Sequence, residues 1–182
     1  MKKTVLIIFF LVLSFNAHAA CQFDLRFGEE ISKIEAKYGP AMPLENIGDD
    51  QLGMIVAVAE EVCPNHRLKD VAIEYRFLND KLAAINLISI NSDSDTKKSE
   101  KITIMNYVKR NYGDFDTGQT PTSYIGYEVF EKTKQFIIYQ RVVDELGFIE
   151  EQMYISNKEY DELLGNFYNQ LEEEMAESES QN

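Results

Sequence analysis

"VAIEYRFLNDKLAAINLISI", residues 71–90, decides how the chain folds. Val71, Ile73, Tyr75 and Phe77 alternate with Ala72, Glu74 and Arg76, which is the period of a half-buried strand. A second apolar run follows at once. Between the two lies "LNDK", residues 78–81, with the Asn-Asp chemistry of a tight turn. The stretch therefore predicts two antiparallel strands. "QFIIYQRVVDELGFIEEQMYI", residues 135–155, repeats the design around "DELG".

Upstream of each pair sits a helix of one pattern. In "FGEEISKIEAKYGP", Phe27, Ile31, Ile34 and Tyr38 share a helical face, Glu29 and Glu30 suit its start, and Gly39-Pro40 stops it. In "SEKITIMNYVKRNYGD", Ile104, Val108 and Tyr112 recur at steps of four, Ser99 is a candidate cap and Gly113 ends the run. "EAKYG" and "KRNYG" close the two helices 74 residues apart. Leu52-Gly53-Met54 and Ile125-Gly126-Tyr127 follow at nearly the same spacing, 73 residues. The sequence thus predicts an α+β domain of two α-β-β-β units, about 22–90 and 100–156. Their strands form one antiparallel sheet with the helices on one face, and "NSDSDTKKSE" (91–100) is the linker. Residues 51–62 read two ways. The β-branched run favours a strand, while Leu52, Ile55, Ala59 and Val62 also make a helical stripe. A last helix, 157–172, carries Tyr160, Leu163, Leu164, Phe167, Tyr168 and Leu171 on one stripe, with Ser156 and Glu159 as a capping box. The acidic residues 173–182 lack apolar content and are expected to be disordered.

The chain opens "MKKTVLIIFFLVLSFNAHAAC". Two lysines, an apolar run too short to span a bilayer, and Ala17-His18-Ala19 make a secretory signal peptide, 1–19, cut between Ala19 and Ala20. His18 stands where a lipoprotein signal places a large apolar residue, so a soluble periplasmic or secreted protein is expected, with lipidation of Cys21 as the lesser alternative. In that oxidising compartment the only two cysteines, Cys21 and Cys63, are expected to pair. The rival, Cys63 with His66 as a Cys-x-x-His metal pair, lacks a second pair to complete a tetrahedral site.

Composition narrows function more than it names it. The net charge is -13, and loss of Lys2 and Lys3 makes it -15. Such a chain repels nucleic acid and anionic membranes and attracts a basic protein. Once the signal is removed, His66 is the only histidine, and no nucleophile elbow, zinc-protease or phosphate-loop motif occurs. No catalytic residue, metal or cofactor is implied. The paired acids Glu60-Glu61, Glu150-Glu151 and Asp49-Asp50 keep a two-carboxylate hydrolase as the enzymatic alternative.

Through "ISKIEAKYGPA" and "ITIMNYVKRNYGD", each followed by a loop and strands, the chain resembles the tandem modules of beta-lactamase inhibitor proteins and of small outer-membrane assembly lipoproteins. The resemblance implies helices on one face of a sheet, an open opposite face and protein binding there. Glu74, Arg76 and Glu128 are the residues expected on that open face. The function expected is therefore a non-enzymatic periplasmic protein-binding module, such as an acidic inhibitor or immunity-type protein. An envelope-assembly accessory is a further alternative.

Overall fold

The computed structural model describes residues 20–23, 25–89, 102–143 and 148–180. The signal segment with Ala19, the Ser99 cap, the 91–100 linker and the "DELG" turn lie outside the described residues. The fold is α+β. In chain order it comprises α1 (Ser32–Tyr38), β1 (Met42–Ile47), β2 (Asp50–Val58), α2 (Ala59–Val62), β3 (Val71–Leu78) and β4 (Lys81–Ser89). Then come α3 (Thr103–Asn111), a 3₁₀ turn (Pro121–Ser123), β5 (Gly126–Glu131), β6 (Phe136–Val143), β7 (Ile149–Ser156) and α4 (Lys158–Ser180).

The seven strands form one sheet in the order β1-β2-β3-β4-β7-β6-β5, each neighbour antiparallel. The last strands of the two predicted units, β4 and β7, meet at its centre. Asn79 and Asp80 between β3 and β4 both have positive φ, 50° and 61°. That is the twist a two-residue hairpin needs, and Asn and Asp tolerate it better than other side chains.

One face of the sheet carries the main core. Ile73, Tyr75, Leu87, Tyr139, Met153 and Ile155 point into it and pack with Ile34 of α1, Ala59 and Val62 of α2, and Ile104, Tyr107 and Val108 of α3. The disulfide Cys21–Cys63, with Cα atoms 5.8 Å apart, ties the N-terminal segment to the end of α2. That bond occupies the Cys63 thiol and removes it from any pairing with His66. The opposite face holds a smaller core, in which Leu164 and Phe167 of α4 cover Ile47, Leu52, Leu78 and Ala84. The helices of the two units thus share one face, and α4 crosses the other.

Several boundaries differ from the sequence reading. Strand β1 has no recognisable pattern, because Pro43, a register shift between Pro43 and Glu45, and nearly complete exposure erase the alternation. Helix α1 starts at Ser32, not Phe27. Gly28, at φ 82°, and a bridge between Glu30 and Lys81 hold the preceding residues in another path, although Phe27 and Ile31 still pack on the core. Residues 51–62 are both things in turn, a strand to Val58 and one helical turn after it. Leu52 and Ile55 are each buried, but on opposite faces of the sheet, so the apparent helical stripe was two strand faces seen together.

The cap of α4 is Asn157, whose side-chain oxygen accepts the Tyr160 N–H at 2.8 Å. Ser156, read as the cap, is instead the last residue of β7, and its hydroxyl donates to the Ala83 carbonyl at 2.7 Å. Helix α4 also runs past 172 to Ser180. Glu, Met and Ala there have high helix propensity, which extends the helix where burial has ceased.

Candidate functional site

Strand pairing assigns every strand residue to a face, because directly opposed residues point the same way. The row Val56–Glu74–Asn86–Tyr154–Ile138–Val129 runs across six strands on the face that α4 only partly covers. Beside it runs Val58–Ala72–Ile88–Gln152–Gln140–Tyr127. The outer ends of both rows are bare apolar groups. Val56 and Val58 are exposed at one end, Val129 (51% exposed) and Tyr127 (72%) at the other.

The centre of this surface is polar and fixed. Arg76 lies half-buried, its Nη2 3.2 Å from Glu74 Oε2 and its Nη1 donating to the Tyr168 hydroxyl of α4 at 3.1 Å. With its amide oxygen turned toward the guanidinium, Asn86 accepts from Arg76 Nε and Nη2 at 3.0 and 3.1 Å. A guanidinium held at three sides keeps one position and gives a docking surface a defined landmark. A shallow hollow of about 270 Å³ opens beside it, lined by Arg76, Asn86, Ile138, Gln140, Gln152 and Tyr154. Gln140 donates to Gln152 across the strands at 2.9 Å. The Tyr154 hydroxyl donates to Asp161 of α4 at 2.8 Å, and burial first, then Asp161, raises its pKa.

Glu74 and Arg76 thus stand together on the open face. Glu128 does not join them. It is paired with Tyr139, in the row that leads to Ile73 under the helices, and accepts from the Tyr124 hydroxyl at 3.0 Å. Burial and Glu128 push Tyr124 up to about 12. The alternation along β5 holds, but its phase is the reverse of the expected one. Tyr127 and Val129 face outward and Glu128 faces the helix side. The apolar outward phase hid this surface from a reading that equates apolar with buried. Asn86, a polar residue inside the apolar run of β4, is the signal that could have revealed the polar centre.

The carboxylate pairs do not converge. Glu150 and Glu151 lie on opposite faces, as strand neighbours must. Glu60 and Glu61 are exposed on α2, and Asp50 is bonded by Asn79 in the β1–β2 turn region. Glu151 is 1% exposed and accepts the N–H groups of Ile104 and Met105 at 3.1 and 3.2 Å and the Tyr139 hydroxyl at 3.0 Å. It therefore caps α3 from a neighbouring strand, where no N-cap side chain does so. Burial raises its pKa, against the opposing pull of those donors and of Arg141. Among the described residues no group of three His, Cys, Asp or Glu is placed to hold a metal, and no helix is long and apolar enough to cross a membrane. Comparison with family models, with curated proteins and with solved structures finds no match.

Proposed function

We propose that the chain is an exported, non-enzymatic protein-binding module that presents the uncovered part of its sheet to a basic partner protein. The observation that carries this reading is the two rows of open-face residues, apolar at both ends and centred on the pinned Arg76. Exposed apolar groups and an ordered arginine on one uncovered sheet face are features that docking surfaces share. Its charge favours a cationic partner, since Glu74, Glu131 and Glu150 share the face with Arg76 and the whole chain carries -13. The disulfide favours an oxidising compartment.

Affinity capture from periplasmic extract at low and high salt tests the proposal. The expected outcome is a partner retained at low salt, weakened by salt, and lost when Val58 and Tyr127 are both replaced by Lys. Retention that ignores both replacements removes the open face from the function.

A further inference from the structure

The two edges of the sheet are not alike. Edge strand β1 carries Pro43 and a break in register, both of which obstruct pairing with another chain. Edge strand β5 has neither. It pairs with β6 in unbroken register from Gly126 to Glu131. The Lys132 N–H donates to the Gln135 carbonyl at 2.9 Å and closes the hairpin. Antiparallel hydrogen bonding alternates along a strand. From Lys132 back, Phe130 and Glu128 therefore bond β6, while Glu131, Val129 and Tyr127 turn their N–H and C=O groups outward. Among the described residues no backbone hydrogen bond joins these three to another segment. Their side chains are also those of the open face.

We propose that β5 accepts an added strand from the partner, an extended segment in which apolar and basic side chains alternate. This rests on the protein-binding reading above and specifies its geometry. The incoming backbone satisfies the outward groups of Tyr127, Val129 and Glu131, and its apolar side chains cover Tyr127 and Val129. Its basic side chains, which then point to the helix side, meet Glu128 there, while Glu131 stands on the open face beside Tyr127 and Val129. A second copy of this chain is the less favoured occupant, because two chains of -13 repel each other.

The test uses the full exported protein and a synthetic peptide of about nine residues that alternates valine and lysine, enough to span one strand. Its control has the same charge with proline at the central valine. Hydrogen exchange is expected to show protection at Tyr127, Val129 and Glu131 with the first peptide alone. Val129→Pro removes only an outward donor, and it is expected to weaken binding about tenfold or more, while Val129→Thr does not. Should Val129→Pro fail to fold, Tyr127→Lys/Val129→Lys keeps every backbone group and repels the peptide, with the same loss expected. Equal binding of both peptides, protection on α4 instead, no binding, or self-association through β5 without peptide each overturns the proposal. A captured natural partner that is lost with Val58→Lys but not with Val129→Pro overturns strand addition and leaves the open-face reading standing.

Discussion

Alternate residues of the same strands serve two unlike faces. On the helix-covered face Ile73, Tyr75, Leu87, Tyr139 and Met153 are fully buried, and the one acid among them, Glu151, has each donor around it placed to meet it. On the other face Glu74 and Arg76 are only half-buried, Arg76 against Tyr168 of α4, and Val56, Val58, Tyr127 and Val129 meet solvent. The difference shows that burial here follows from what is laid over the sheet, not from the strand residues themselves. Three helices and a disulfide close one side. A single helix crossing one end leaves the other side partly open.

The sharpest way to break the comparison is to remove the buried acid. Glu151→Ala leaves two amide donors of α3 and the Tyr139 hydroxyl without an acceptor, and should cost about 3–5 kcal/mol in urea unfolding. A loss under about 1 kcal/mol would mean that α3 is not held by this cap. Opening the staple comes next. Cys21→Ser/Cys63→Ser frees a loop closed over a separation of 42 residues, for which chain entropy gives roughly 4 kcal/mol. An unchanged midpoint would show that the N-terminal segment stays docked without its bond. On the sparser face, Leu164→Ala should cost about 2 kcal/mol, the low end for such truncations, because only a small cluster surrounds it.

A gentler change tests the electrostatics. Burial raises the folded pKa of Glu151 above its unfolded value, so its contribution is complete below that unfolded value, about 4.5, and is lost as pH rises through the folded pKa. The stability of the parent protein relative to Glu151→Gln should therefore fall as pH rises above about 4.5. A difference that grows with pH would show the carboxylate to be favoured over the acid. The smallest effect belongs to the open face, where Tyr127→Lys should leave stability within about 0.5 kcal/mol while weakening capture of the partner. A large loss of stability there would mean that Tyr127 packs in the native state as core residues do.

The two hairpins were legible because their alternation and the Asn79-Asp80 turn are local. So were the cysteine pair, the only two in the chain, and Glu74 with Arg76 on one face, which strand period dictates. Glu128 was not legible in the same way. Period gives alternation but not phase, and β5 reverses the usual association of apolar with inward. Glu151 looked like one of a pair of surface acids until its strand position placed it beneath α3. Strand β1 escaped because an edge strand needs no buried face to form.

Sequence by itself determined the α+β class, the order of most elements, the cysteine pair and a net charge of -13. These follow from short-range periodicity and residue count. Only the tertiary structure decided that β4 and β7 meet at the centre, that Arg76 is pinned by Glu74, Asn86 and Tyr168, that Glu151 caps a helix 47 residues before it, and that β5 is the bare edge. The physical reason is distance along the chain. Each of these depends on pairing between segments far apart in sequence, and no local pattern records which distant backbone will arrive beside a given strand.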